Sequence, residues 1–469
     1  MMRAPVSLAF ALAMLPAVAS AGAEGPNLFG KPVTIRAPLT EEEAEARRLA
    51  FEASIAERGW RVEGDVVGPA EIFEDANAGQ AAQGAWDYPV HRHTIFLNFF
   101  GGEMKNGTNA SLMQSSCLNG KVTYPGYFGT TAKALAIIQV FQTKMAPYGV
   151  RIAYEEAPPP ELPYSMVMMG GSPQDVGMPQ GTLGVSCSSD CGDRWWRDTT
   201  FAFTEAAFDT NILATTALQE ASHAFGLAHI DGSKHIMYPY ATAGDKIWAD
   251  GCTVYNDATG GINCKPTHDI FCGGGMQDDV AELLAYFGAD SPDTVPPTVS
   301  ILSPESGIQL DVGADVTIEA DVTDDYDGVG WKAMFYQNDV LVDERPAFTF
   351  EKKWGLNKLP QGTYKVVVQA IDHDGNVASD EVIIYVGEQS AGTGTDTDGT
   401  GTGGTDGTGG TAATDGTGGT GLGSASATGG ATGGEVDDKG CNCQSTGSVP
   451  ASGLLVLVGL GLVGRRRRG

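Results

Sequence analysis

Hydrophobic and polar positions along the chain change period several times, and each change marks an element. Thr40 and Glu43 form a capping box before Leu49, Phe51 and Ile55, which predicts a helix from about Glu41 to Arg58. His93 to Phe100 (HTIFLNFF) is stopped by Gly101-Gly102 and reads as a buried strand. Leu135, Ile138 and Phe141 recur at helical spacing within Ala132 to Met145. Val150–Tyr154, Ser165–Met169 and Thr199–Thr204 read as further strands. Asp209 is a good N-cap for a helix reaching Phe225, with Ile212, Leu213, Thr216, Leu218 and Ala221 as its apolar surface. A last helix is expected near Gln277 to Phe287.

After Pro296-Pro297 the period shortens to alternation. Val299–Leu302, Val316–Val322, Ala333–Gln337, Thr363–Ile371 and Glu381–Val386 read as strands of a separate all-β module over 295–387. Residues 388–435 are Gly, Thr, Asp and Ala repeats with almost nothing to bury, hence a flexible linker. Residues 1–21 have the form of a signal peptide: Arg3, an apolar run from Leu8 to Leu15, and Ala19-Ser20-Ala21 as cleavage site.

Composition narrows the function classes. The net charge of −29 over 469 residues argues against nucleic acid or an anionic membrane surface as partner. Six of the eight Cys fall between Cys117 and Cys272, which in an exported chain predicts up to three disulfides. Their connectivity stays open, although Cys187 and Cys191 are close enough in sequence for a small local loop.

The chemistry gathers in Leu218 to Tyr240. Glu220 and His223 lie one helical turn apart, Gly226 suits a helix stop, and His229 follows the turn. Imidazoles so placed are good Zn²⁺ ligands. Gln219-Glu220-Ala-Ser-His223-Ala-Phe-Gly226-Leu-Ala-His229, followed by Met237-Tyr238-Pro239, resembles the metzincin zinc proteases, and most closely their matrixin branch. The resemblance implies an α+β metalloprotease domain over 89–290. It implies Zn²⁺ as cofactor, His223 and His229 as metal ligands, Glu220 as general base and Met237 as the turn methionine. Gln219 stands where the family carries its first zinc-binding His. An amide oxygen is a poorer donor to Zn²⁺ than imidazole, so the Gln219, His223, His229 set predicts weakened zinc affinity. His235 and His268 occupy no family ligand position.

Residues 22–88 fit two roles equally, a prosegment over the cleft or a helical extension packed elsewhere. They hold no Cys, so the cysteine latency device of matrixins is absent. Gly362 to Asn376 resembles the end of a bacterial Ig-like domain, with Tyr364 at its tyrosine corner. Asp372, Asp374 and Asn376 offer oxygen ligands to Ca²⁺, but Asp-Gly-Asn is above all a hairpin-turn sequence, and a turn is expected here. Residues 436–469 place Cys441 and Cys443 before an apolar run and Arg465–Arg468. This resembles myxobacterial C-terminal sorting signals and implies export to the cell surface, or release after processing, with membrane contact only through this tail; the protein is expected to be a monomer. Two functions remain: a surface zinc endopeptidase acting on proteins or peptides, and a catalytically impaired metzincin-fold binding module.

Overall fold

The computed structural model describes residues 27–73, 90–193, 196–204, 209–256, 258–259, 262, 264–347 and 353–387. The signal peptide, the linker and the C-terminal signal read from the sequence lie outside the described residues. Among the described residues no helix is long and apolar enough to cross a membrane.

The first part of the chain is built on one seven-stranded sheet. Helix α1 (Glu41–Glu57) starts at the expected capping box, with Glu43 N donating to Thr40 Oγ1 and Thr40 N to Glu43 Oε2. Strands β1 (Trp60–Glu63) and β2 (Val66–Pro69) follow as a hairpin. Next come β3 (His93–Asn98), α2 (Thr131–Met145), β4 (Val150–Ala153), β5 (Ser165–Met169), β6 (Gly184–Cys187), β7 (Thr199–Ala202) and α3 (Thr210–Ala224). The sheet order is β1-β2-β6-β7-β5-β3-β4. Strand β6 runs antiparallel to β7 and parallel to β2, through Ser186↔Val66 and Cys187↔Val67.

Both faces of the sheet are covered, which is why β3 carries consecutive apolar residues, Ile95, Phe96 and Leu97, at its centre. Ile95 and Leu97 pack with Ile137 and Phe141 of α2 and Ala217 and Leu218 of α3. Phe96, Met166, Met168 and Phe201 pack on the other face with Phe51 and Ile55 of α1. Two expected core positions differ: Leu49 and Leu135 face solvent, and Ala134 and Ile137 fill the α2 interface instead. The sequence reading also lacked the β1–β2 hairpin, β6 and the short helix α4 (Lys265–Phe271) before α5 (Asp279–Phe287).

The six cysteines form three disulfides, Cys117–Cys187, Cys191–Cys264 and Cys252–Cys272. The local Cys187/Cys191 loop is therefore not formed. Each of the two pairs with a distant partner, because β6 and the loop after it point their sulfurs to different cores.

The described residues between 298 and 386 form a β-sandwich. One sheet holds β8 (Thr298–Ser303), β10 (Val316–Thr323) and β13 (Lys353–Leu356) in the order β8-β10-β13. The other holds β9 (Ile308–Leu310), β11 (Gly330–Gln337), β12 (Val340–Ala347), β14 (Gly362–Ile371) and β15 (Val377–Val386) in the order β9-β15-β14-β11-β12. Alternate residues Tyr364, Val366, Val368 and Ala370 of β14 point into the core. Tyr364 Oη donates to Pro360 O at 2.9 Å, the expected corner bond. Asp372 Oδ1 accepts from the backbone N–H groups of Asp374 and Asn376, as a turn requires. Asp374 is engaged elsewhere, pairing with Arg151 at 2.6 Å. Lys332–Glu161 and Thr94–His373 add polar links between the sandwich and the first part of the chain.

Candidate metal centre

Helix α3 begins at Asp209, whose carboxylate accepts from Asn211 N and Ile212 N. It ends at Phe225 because Gly226 takes φ +105, and a Cβ there would lie 2.8 Å from Asp190 O. Glycine is thus required both by the left-handed turn and by the close approach. The chain then turns back, Ile230 N donating to Met237 O, with Met237 fully buried beneath. This turn brings His229 to His223, with the two Nε2 atoms 3.0 Å apart.

The outer nitrogens of both rings have partners. His223 Nδ1 donates to Leu227 O at 2.6 Å, which leaves the Nε2 lone pair facing His229. His229 Nδ1 lies 3.1 Å from Thr259 Oγ1. Burial first, then the neighbouring His229, holds His223 down at about 4, so the ring is neutral at physiological pH.

The third donor is one the sequence reading missed. Asp65, at the β1–β2 turn, places Oδ1 3.4 Å from His229 Nε2 and 3.9 Å from His223 Nε2. One donor atom from each of Asp65, His223 and His229 lies within 4.8 Å of the others. Asp65 Oδ1 is buried without a well-formed hydrogen bond. Burial pushes this carboxyl up, but the two neighbouring imidazoles, His229 first and then His223, outweigh it and hold the group below the usual range. The available signal was Gly64-Asp65 between Arg61-Val62-Glu63 and Val66-Val67, a two-residue hairpin turn. Nothing local, however, connects that turn to α3.

Gln219 and Glu220 stand beside these donors in a cleft of about 430 Å³ that Asp65, His229 and Tyr238 also line. Gln219 Nε2 and Glu220 Oε2 are buried without hydrogen-bond partners. Burial, then the Asp65 charge, pushes the Glu220 carboxyl well above its ordinary range. Gly184 of β6 makes room for it, since a Cβ there would sit 2.5 Å from Glu220 Oε1. His235 and His268 do not join the cluster. His235 Nδ1 bonds Asp231 O, and His268 is buried against Glu282 at 2.7 Å.

Two imidazoles with anchored outer nitrogens, a carboxylate oxygen without a good partner and a free carboxyl beside them make a donor set that fits Zn²⁺. The residues that would hold the ion are Asp65, His223 and His229, with Gln219 at the cleft wall.

Among known proteins, the model of a bacterial Ig domain matches residues 297–368. No curated protein matches the chain. Similar solved structures include fibronectin(III)-like modules of Clostridium thermocellum CbhA, at 25% identity over 19% of this chain and 96% of that one, TM-score 0.17. The human B7-H4 IgV-like domain is 15% identical over 20% of this chain and 98% of that one, TM-score 0.15. Superoxide reductase (neelaredoxin) from Ignicoccus hospitalis is 11% identical over 20% of this chain and 80% of that one, TM-score 0.15. At these TM-scores the structural likenesses carry no further argument. The family match, the corner bond of Tyr364 and the two-sheet core agree: residues 297–368 belong to a bacterial Ig domain.

Proposed function

We propose that the chain is an exported, metzincin-type zinc endopeptidase of the α+β class, with Glu220 as general base and the Ig domain as a spacer towards the cell surface. The observation that carries this reading is the convergence of Asp65, His223 and His229 next to a buried, unpartnered Glu220. Zn²⁺, when bound, supplies a Lewis acid that acidifies water and polarises a carbonyl. The chain's own residues do the rest. The His223–Leu227 and His229–Thr259 contacts fix which nitrogen each ring presents. Glu220 is placed to accept a proton from water and pass it to the leaving amine, and its burial makes it a stronger base once ionised. Gln219 leaves the ligand set short of one imidazole, and Asp65 supplies the missing donor from the N-terminal segment.

The alternative, a binding module with impaired catalysis, has one observation in its favour. Strand β2 pairs with β6 beside the cleft, so the edge an extended peptide would add to is taken at Ser186 and Cys187. The test is zinc content and peptide hydrolysis of the purified chain and two variants. Asp65→Asn should lower zinc affinity, by about 10-fold or more, and lower hydrolysis with it. Gln219→His should raise both. Higher hydrolysis in Asp65→Asn would mean that Asp65 and its hairpin obstruct the cleft, as a prosegment would. Zinc-loaded protein without hydrolysis in every form would leave the binding module.

A further inference from the structure

A second cluster, sharing no residue with the cleft, lies at the start of β3. His91 and His93 are two apart in extended chain, so their side chains emerge on the same face. Asp193 meets them from the loop after β6. Gly192 N and Asp193 N both donate to Phe225 O, at 3.2 and 3.1 Å, which pins that loop to the end of α3. The three side chains are 3%, 0% and 1% exposed, and one donor atom from each lies within 4.8 Å of the others.

Hydrogen bonding alone does not account for this group. His91 Nε2 lies 2.6 Å from Asp193 Oδ2, an ordinary hydrogen-bond contact. His93 Nε2 lies 3.0 Å from Ser165 Oγ. That leaves His93 Nδ1 3.7 Å from Asp193 Oδ2, outside hydrogen-bond reach. Both His93 Nδ1 and Asp193 Oδ1 are buried without a partner, at a cost of about 1–3 kcal/mol each. Nearby Asp198 has both carboxylate oxygens buried without partners. Burial, then the charges of Asp190 and Asp193, pushes its carboxyl well above the usual range.

We propose that His91, His93 and Asp193 form a second, structural site for a transition-metal dication of the Zn²⁺ class. One cation satisfies the orphaned nitrogen of His93 and the orphaned oxygen of Asp193 together. Two imidazoles with one carboxylate select a borderline ion such as Zn²⁺ over Ca²⁺ or Mg²⁺, which take oxygen ligands. The rings are already oriented: His91 stacks on Trp196 at 4.8 Å, and His93 is held by Ser165. The site would clamp the start of β3 to the loop after β6. It also stands where the Ig domain attaches, since His91 bridges to Asp327 and Thr94 bonds His373.

The test uses the full exported chain, purified without a histidine tag, stripped with chelator and titrated with Co²⁺. The intense visible absorption of a four-coordinate site counts the bound ions. Wild type should take two equivalents. His229→Asn, which disables the cleft, should keep one, and Asp193→Asn should lose the equivalent that His229→Asn keeps. If the cleft binds no metal at all, wild type should take one equivalent that His229→Asn leaves untouched. A His229→Asn protein with no four-coordinate Co²⁺ overturns the proposal, and so does a folded Asp193→Asn protein with the wild-type count. If Asp193→Asn does not fold, the wild-type and His229→Asn titrations decide alone.

Discussion

Helix α3 and strand β14 are both buried, and they differ in what they bury. Along β14, core residues Tyr364, Val366, Val368 and Ala370 alternate with half-buried ones, and the corner hydroxyl has its acceptor. Along α3, every residue from Leu213 to Ala224 is buried, and the run includes Gln219, Glu220 and His223. Gln219 Nε2 and Glu220 Oε2 lack partners there. A helix buried on all sides is ordinarily apolar, and an unpaired buried polar atom costs about 1–3 kcal/mol. The strand obeys every local rule and serves as scaffold. The helix breaks one rule repeatedly at one place, the pattern expected where stability is given up for chemistry.

The largest effect should come from removing the carboxylate that α3 keeps unpaired. Glu220→Gln should lower peptide hydrolysis by about 10²–10⁴-fold while zinc content stays at the wild-type level. Loss of zinc in this variant would show that Glu220 holds the metal instead of serving it. Gly184→Ala is a milder version of the same change. Its new Cβ, 2.5 Å from Glu220 Oε1, must push the carboxylate aside, so hydrolysis should fall part of the way with zinc unchanged.

The next effect concerns the covalent frame around the cleft. Cys191–Cys264 closes a loop of sequence separation 73, next to the Asp190–Gly192 backbone on which Gly226 packs. Replacing both with Ser should cost about 4 kcal/mol of stability by the chain-entropy account, read from denaturant unfolding. A cost under about 1 kcal/mol would mean that the loop is already ordered in the unfolded chain.

What the sequence disclosed follows the same division. Thr40/Glu43, Asp209 and Gly226 act within one turn of chain, so their roles were legible before any coordinates. The histidine pair was legible because Gly226 forces the reversal that joins His223 to His229. Asp65 was not, because its partnership runs through β2 pairing with β6, and Gly184-Val-Ser-Cys187 is too short and too irregular to announce a strand. His91 and His93 were hidden for a related reason: their partner Asp193 lies in a loop whose course depends on Phe225 O. Disulfide partners were equally non-local, and the local Cys187/Cys191 pairing failed on that account. Leu49 and Leu135 show the limit of periodicity, which gives the helix but not which of two adjacent apolar residues faces inward.

The smallest effect is a control on the obedient region. Tyr364 is buried to 4% exposure, and its hydroxyl gives one neutral hydrogen bond, to Pro360 O at 2.9 Å. Tyr364→Phe keeps the ring in the core with Val366 and Ile384 and deletes only that donor. The carbonyl left behind retains a second lone pair and lies near the surface turn before β14, so the loss should match one ordinary hydrogen bond, about 0.5–1.5 kcal/mol. Zinc content and hydrolysis should not change, because among the described residues the Ig domain contributes no donor to the Asp65, His223, His229 cluster. A stability loss above about 3 kcal/mol would make the corner a structural keystone. A change in zinc content would break the comparison itself, since it would mean that packing within the Ig domain sets the geometry of α3.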